Sequence, residues 1–172
     1  MRLVVALAAL LAVAPAWADE VLQAFQDWKL ATMSNPVTNV TDYFIGTLTS
    51  DGNSAFGLQC SHAVRSYAFF VDDPSFKIVK PGQKLALDFR LVNGKPDKLL
   101  AASLGSGRVV VEERLQHPSF NYLLISVYGA ESGVGFSAGS KAFLFSLRGF
   151  SQAADALGEK CGFTPNDETQ QR

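Results

Sequence analysis

The segment LALDFRLVNG, residues 85–94, decides the class of fold. Its apolar residues fall at every second position from Leu85 to Leu91, and polar or small residues stand between them. Such alternation places the apolar side chains on one face of a β-strand. Asn93-Gly94 then supplies two residues that tolerate the positive φ angles of a type I′ hairpin turn. The segment therefore predicts a half-buried strand followed by a hairpin.

The same two-residue period extends along most of the chain in both directions. Turn sequences such as Asp51-Gly52-Asn53 and Pro81-Gly82 separate the periodic segments. Many short strands with frequent turns predict an all-β domain, a β-sandwich of immunoglobulin-like or jelly-roll-like type. Further strands are predicted at 28–33, 43–49, 56–61, 67–71, 99–102, 108–112, 122–128, 134–138 and 143–147.

After residue 147 the apolar spacing changes from that of a strand to that of a helix. Phe150, Leu157 and Cys161 fall on one stripe of a helix. Gly149 eases the chain out of the preceding strand, and Gly162 can end the helix in the left-handed conformation. We therefore expect a short C-terminal α-helix within a single domain at residues 19–164. The polar residues 165–172 are expected to be a disordered tail.

The two cysteines, Cys60 and Cys161, are predicted to form a disulfide bond. Cys60 shares the inward face of its strand with Phe56, and Cys161 lies on the apolar stripe of the helix. Closing a loop of about 100 residues could contribute about 4 to 5 kcal/mol through chain entropy. The alternative is a reactive thiol next to His62, but the segment offers no third orienting group and no Cys-x-x-Cys motif.

The first 18 residues have the pattern of a secretory signal peptide. Arg2 precedes an apolar stretch at residues 3–13, and Ala16-Trp17-Ala18 places small residues where a signal peptidase cuts. A membrane anchor is the alternative, but about eleven apolar residues are well short of the roughly 20 that span a bilayer. We expect cleavage near Ala18, a location in the periplasm or outside the cell, and no stable membrane span.

Composition and charge exclude some classes of partner. The 172 residues contain 15 Lys and Arg against 16 Asp and Glu, with a formal net charge of −1. A nucleic-acid-binding surface needs clustered basic residues, and the chain has no such run. We therefore expect no nucleic-acid partner.

Candidate catalytic and metal-binding residues are few. Only His62 and His117 are available as histidine ligands, and neither has a partner at the usual metal spacing. Gly105-Ser106-Gly107 lacks the strand and helix that frame a nucleophile elbow. Asp72-Asp73-Pro74 is typical of a turn, with a calcium or acid–base role as the alternative. The sequence predicts no catalytic residue, no metal and no cofactor.

Aromatic residues are the remaining candidates for a binding surface. Tyr122 and Tyr128 lie opposite the predicted inward face of the strand at 122–128, and Phe70 lies opposite Phe69 on its own strand. A strand that is apolar on both faces is typical of a central, doubly covered position. The alternative is an exposed aromatic face made of Phe70, Tyr122 and Tyr128 that docks a partner.

The C-terminal unit resembles a known family. Residues 142–150, AFLFSLRGF, followed by Ala153-Ala154 and Leu157, resemble the ending of the invasion-associated locus B family of exported bacterial proteins. An early tryptophan strand at residues 28–32 is similar in placement. The resemblance implies a periplasmic or secreted, noncatalytic protein, linked in some members to host-cell invasion. It assigns no catalytic residue.

Together these patterns favour an exported, noncatalytic protein that binds a protein partner in the envelope or on a host. The first alternative is a small-molecule or lipid carrier with a cavity between the sheets. A hydrolytic enzyme is the second alternative, and it would need a polar cleft that gathers a histidine with a carboxylate. A filled core with an exposed aromatic patch would favour the binding protein over the carrier.

Overall fold

The computed structural model describes residues 20–35, 40–92, 94–113, 118–130 and 132–163. The predicted signal peptide, the predicted tail and His117 lie outside these residues. The described chain forms ten strands, one 3₁₀ helix and two α-helices. In chain order they are β1 (Glu20–Phe25), β2 (Trp28–Asn35), β3 (Val40–Leu48), β4 (Ala55–Ser61), β5 (Ser66–Asp72), the 3₁₀ helix (Pro74–Ile78), β6 (Lys84–Leu91), β7 (Asp97–Gly105), β8 (Arg108–Glu112), α1 (Ser119–Val127), β9 (Gly133–Ala138), β10 (Lys141–Ser146) and α2 (Phe150–Cys161).

The strands form one antiparallel sheet. Its order is β1-β2-β3-β4-β5-β8-β7-β6-β9-β10. The predicted hairpin at residues 85–94 is present as the β6–β7 pair, although Asn93 itself lies outside the described residues. The predictions of a β-rich fold and of a C-terminal helix are confirmed. The sandwich type is not confirmed, because the described strands form one continuous hydrogen-bonded sheet.

The sheet curls so that its last strands lie against its first ones. Trp28 of β2 is fully buried, and its Nε1 donates a hydrogen bond of 3.0 Å to the carbonyl oxygen of Ser146 at the end of β10. The ring of Phe56 on β4 lies 4.9 Å from that of Phe136 on β9 and 5.6 Å from that of Phe145 on β10. The alternating apolar side chains thus face a shared interior.

Helix α2 covers the concave face of the first strands. Phe150 at its start packs edge-on against Trp28, with ring centroids 4.9 Å apart. At its other end Gly162 is left-handed, as predicted, with φ of 67°. Cys161 is bonded to Cys60 of β4 across a sequence separation of 101 residues, with Cα atoms 6.3 Å apart. The predicted disulfide is confirmed, and it joins the last helix to the fourth strand.

The strand predicted at residues 122–128 is wrong, because this segment forms most of helix α1. The buried residues of the helix are Ser119, Phe120, Leu123 and Val127, which lie on one helical arc. Ile125, predicted to share an inward strand face with Leu123, is instead 76% exposed. The apolar spacing of this segment is compatible with both a strand and a helix, and packing against the sheet selects the helix.

Candidate protein-binding surface

Helix α1 is fixed to the sheet by its buried arc. The Ser119 hydroxyl accepts a hydrogen bond of 3.1 Å from the backbone N–H of Leu100 on β7. Phe120 is buried, and its ring lies 5.3 Å from that of Phe69 on β5. These contacts hold the helix in one orientation. They also determine which of its side chains face outward.

The outward arc of α1 is rich in large side chains and has no charged residue of its own. It consists of Asn121, Tyr122 and Ile125 with the adjoining Tyr128, and we call it the α1 surface. Tyr122 is 43% exposed, Ile125 76% and Tyr128 50%. The nine residues of the helix, SFNYLLISV, include no charged side chain. Exposed large apolar and aromatic side chains that adjoin one another are typical of interaction sites.

Both tyrosines of the α1 surface are held in place. The Tyr122 ring packs edge-on against Phe89 of β6, with centroids 5.9 Å apart. The Tyr128 hydroxyl donates a hydrogen bond of 2.7 Å to a carboxylate oxygen of Asp155 on α2. That hydrogen bond, with burial and the negative charge of Asp155, raises the pKa of Tyr128. Because the rings are already ordered, a partner would bind them at a lower cost in conformational entropy.

Phe70, the third aromatic residue predicted for an exposed face, lies elsewhere. It is 1% exposed on the convex side of β5, opposite the face against which α1 packs. The Arg108 guanidinium lies 4.4 Å above its ring, and the same guanidinium is paired with Asp72. For Phe70 the burial agrees with the first interpretation, a central strand that is apolar on both faces, and not with the alternative of an exposed aromatic face. Tyr122 and Tyr128 are exposed in the structure, and Ile125 is exposed with them. A helical period at residues 122–128 would have predicted the exposure of Ile125, whereas the strand period did not.

The interior of the curled sheet is filled by aromatic rings. Side chains from the sheet and from both helices meet there at close range, as in the stacked pair of Phe56 and Phe69 at 5.7 Å. The largest of these side chains are each at most 1% exposed: Trp28, Tyr67, Phe56, Phe69, Phe120, Phe145 and Phe150. Their packing occupies the space in which a carrier of the predicted kind would hold its ligand.

His62 is the histidine that the structure describes. Its Nδ1 is buried without a hydrogen-bond partner, 4.0 Å from a carboxylate oxygen of Asp42, and its ring lies against those of Tyr43 and Phe163. The Asp42 carboxylate accepts a hydrogen bond from the backbone N–H of His62 instead. Across the described ranges, no group of three or more His, Cys, Asp or Glu side chains is arranged to hold a metal ion.

The neighbouring carboxylates Asp72 and Asp73 each have partners within the fold. Asp72 forms two hydrogen bonds of 2.6 Å with the Arg108 guanidinium. Asp73 caps the 3₁₀ helix, and its buried carboxylate binds the Lys141 ammonium of β10 at 2.6 Å and 2.7 Å. Ser54 donates a further hydrogen bond. The structure thus gives this pair a structural role, in which Asp73 joins the end of β5 to the start of β10.

The Asp73 contacts predict a loss of stability in acid. Burial opposes ionisation of Asp73, but hydrogen bonds from Lys141, Ser54 and Ser75 outweigh it and lower the pKa to about 2. A carboxyl with a folded-state pKa below its unfolded value of about 3.9 stabilises the fold above that value. This contribution, about 2.5 kcal/mol, is lost as the pH falls from about 4 through about 2.

Urea unfolding of the natural protein and of Asp73→Asn, followed from neutral pH into acid, measures this contribution. The difference in unfolding free energy is expected to be large at neutral pH and to shrink as the pH approaches 2. Asp88→Asn, at an exposed position of β6, is the matched control and should show a much smaller difference. A difference for Asp73→Asn that does not vary with pH would contradict the assignment.

The described part of the chain contains no helix long and apolar enough to cross a membrane. Comparison of the chain with protein-family models, with curated proteins and with solved structures gives no match. No family assignment therefore follows from similarity.

Proposed function

We propose that this chain is an exported, noncatalytic protein that binds a partner protein through the α1 surface. The observation that supports the proposal is the exposure of Tyr122, Ile125 and Tyr128 on an uncharged helix whose other face is anchored to the sheet. Interface centres are enriched in tyrosine and depleted of charged residues, and Ile125 offers a protruding apolar side chain between the two tyrosines.

The proposal of export has three supports. Residues 1–18 match the charged, apolar and small-residue order of a signal peptide. The disulfide bond between Cys60 and Cys161 is of a kind that persists in oxidising compartments. The C-terminal unit resembles the invasion-associated locus B family, whose members are exported. The proposed location is the periplasm or the exterior, and the proposed partner is a protein of the envelope or of a host.

A photocrosslinking amino acid at position 125 tests the α1 surface. Produced in its natural cells and irradiated, this variant is expected to capture the same partner protein repeatedly. Ile78 is the matched control site, since it is an isoleucine that is 89% exposed on the separate 3₁₀ helix. The photocrosslinker at position 78 is expected not to capture that partner.

Purified partner then allows the affinity to be measured. Ile125→Asp places a charge at the centre of the α1 surface and is expected to weaken binding by about tenfold or more, since burying an unpaired charge is costly. Ile78→Asp is expected to leave the dissociation constant unchanged. Capture of the same proteins from both positions, or equal affinity of the two aspartate variants, would show that the α1 surface is not the binding site.

A further inference from the structure

The residues from the 3₁₀ helix to the start of β6 present an exposed isoleucine. Side chains three positions apart lie on the same face of a 3₁₀ helix. Phe76 is buried and Val79 packs against the core, so that face turns inward. Ile78, at the end of the helix, is 89% exposed, and it is the most exposed of the large apolar side chains that the structure describes. The helix thus holds an isoleucine almost entirely in solvent.

Hydrogen bonds fix the 3₁₀ helix to the hairpin of β7 and β8. The Asp73 backbone N–H donates to the carbonyl oxygen of Gly107 at 2.9 Å. Ser103 of β7 holds the other end, because its carbonyl oxygen accepts from the Gly82 N–H at 2.7 Å and its hydroxyl donates to the Val79 carbonyl oxygen at 3.2 Å. The backbone that carries the exposed isoleucine is therefore ordered. Binding through an ordered segment loses less conformational entropy than binding through a flexible one.

Positive charge flanks Ile78 along the chain. Residues 74–87 contain three lysines, Lys77, Lys80 and Lys84, and no Asp or Glu. All three lysines are exposed, and Lys77 and Lys80, three positions apart, lie on the face next to Ile78. Within the part of the chain that the structure describes, none of their ammonium groups has a carboxylate within ion-pair distance. We call Ile78 and the three lysines the 3₁₀ surface.

Neighbouring carboxylates do not cancel this charge. Asp72 and Asp73, which precede the helix, are each paired with a cation of another strand. Asp51 lies on the turn between β3 and β4, and the next two residues of that turn share a groove with the helix. One such carboxylate against three ammonium groups leaves the surface positive. Asp88 is four residues beyond Lys84 on the extended strand β6, about 13 Å away, where salt screens most of its field.

We propose that the 3₁₀ surface binds the surface of a lipid bilayer that contains anionic phospholipids. Ile78 inserts at the boundary between the headgroups and the acyl chains, and the three lysines pair with lipid phosphates. Binding of this kind grows with the apolar area inserted and with the electrostatic attraction to anionic lipids. The α1 surface lies on a different element and carries no lysine, so the two proposals stand or fall independently.

A protein partner is a poorer occupant of the 3₁₀ surface. The centre of a protein interface needs several large side chains packed together, whereas Ile78 is the one exposed large apolar residue among residues 74–87. It also protrudes, so a protein would need a preformed pocket for a single side chain. The headgroup region of a bilayer is fluid, adapts to one protruding side chain and presents negative charge to all three lysines. Shape and charge together therefore favour an anionic bilayer.

Sedimentation with vesicles tests the proposal. Purified natural protein is mixed with vesicles of phosphatidylcholine alone, or of equal parts phosphatidylcholine and phosphatidylglycerol. It is expected to bind the anionic vesicles several-fold more tightly, and added salt should reduce the difference. The variants are compared with the natural protein on the same vesicles. Any binding through the apolar stretch at residues 3–13 is common to all of them and cannot account for a difference.

Substitutions then separate the two parts of the surface. Ile78→Ser is expected to lower the partition coefficient on anionic vesicles by about fivefold. Lys77→Gln combined with Lys80→Gln is expected to lower it by about tenfold and to weaken its dependence on salt. Ile125→Ser on α1 and Lys98→Gln on β7 remove an exposed isoleucine and an exposed lysine elsewhere. These matched controls should leave the partition coefficient unchanged.

Insertion itself is measured with a fluorescent side chain. Brominated lipids in the anionic vesicles are expected to quench the tryptophan of Ile78→Trp and to leave that of Ile125→Trp unquenched. Equal binding to neutral and anionic vesicles would overturn the proposal, as would full binding by Ile78→Ser or by the double lysine variant. Equal quenching at positions 78 and 125 would overturn it as well. Because every substituted side chain is exposed, the variants are expected to fold, and urea unfolding checks this.

Discussion

Reduction of the Cys60–Cys161 bond is expected to lower the free energy of unfolding by about 3 to 5 kcal/mol. The bond closes a loop of 101 residues and joins α2 to β4, so its loss gives the unfolded chain far more freedom. Both sulfurs lie in the core, with Cys60 at 0% and Cys161 at 5% exposure. Denaturant unfolding of oxidised and reduced natural protein measures the difference without changing any side-chain volume.

Two further measurements separate the bond from its surroundings. Thiol labelling of denatured, unreduced protein should find no reactive cysteine. The double variant Cys60→Ser with Cys161→Ser should resemble the reduced protein and should no longer respond to reductant. Two reactive thiols in the unreduced protein, or a difference between oxidised and reduced protein below about 1 kcal/mol, would show that the bond does not hold α2 to the sheet.

Gly149→Ala is expected to destabilise the protein by about 2 to 4 kcal/mol. Gly149 precedes α2 with φ of 89°, a left-handed conformation that a residue with a Cβ atom adopts at a cost. A Cβ atom at this position would also overlap the backbone carbonyl group of Phe25 on β1. The backbone must therefore move, and with it the start of α2 and the Trp28–Phe150 contact.

Gly162→Ala is the matched control for Gly149→Ala. Gly162 is also left-handed, with φ of 67°, but a Cβ atom there meets no atom within 4 Å. We expect this variant to cost about 1 kcal/mol, which is the conformational penalty alone. Thermal or urea unfolding of the two variants compares the costs. Equal losses would mean that close packing against β1 adds nothing to the requirement for glycine at position 149.

Strong local patterns are sufficient to predict much of this fold. Alternation with a period of two identifies β6 and most other strands, and the stripe of Phe150, Leu157 and Cys161 identifies α2. The disulfide follows because Cys60 and Cys161 each lie on an apolar face that must turn inward. Strand β1 is not predicted from the sequence. It lies at the exposed edge of the sheet, and residues 20–25 therefore show little apolar alternation.

The candidate binding surface is harder to predict, because α1 is a short apolar segment whose spacing fits both the helical period and the strand period. Leu123 and Val127 fit a helix as well as a strand, and the position of Ile125 distinguishes the two. In a strand Ile125 would be buried with Leu123, whereas in α1 it is more exposed than either Tyr122 or Tyr128. The sheet against which Phe120 and Leu123 pack decides the outcome, and that sheet is built from distant residues.

Local sequence patterns also do not predict the order of the strands in the sheet or the polar contacts between distant residues. The insertion of β8 between β5 and β7, and of β6 between β7 and β9, depends on pairing across long stretches of chain. Asp73 and Lys141 are 68 residues apart, and neither sequence neighbourhood indicates the other.

The position of α2 far downstream of the strands that it covers has a consequence for synthesis. This helix covers the concave face of strands that are complete by residue 61, yet its own residues follow about 90 positions later. At usual elongation rates that face stays without its cover for roughly 5 to 20 seconds. During that interval Cys60 has no native partner thiol within reach. The nascent chain therefore exposes an apolar surface and a free thiol together. Both become buried only after α2 has been synthesised and has packed against the strands.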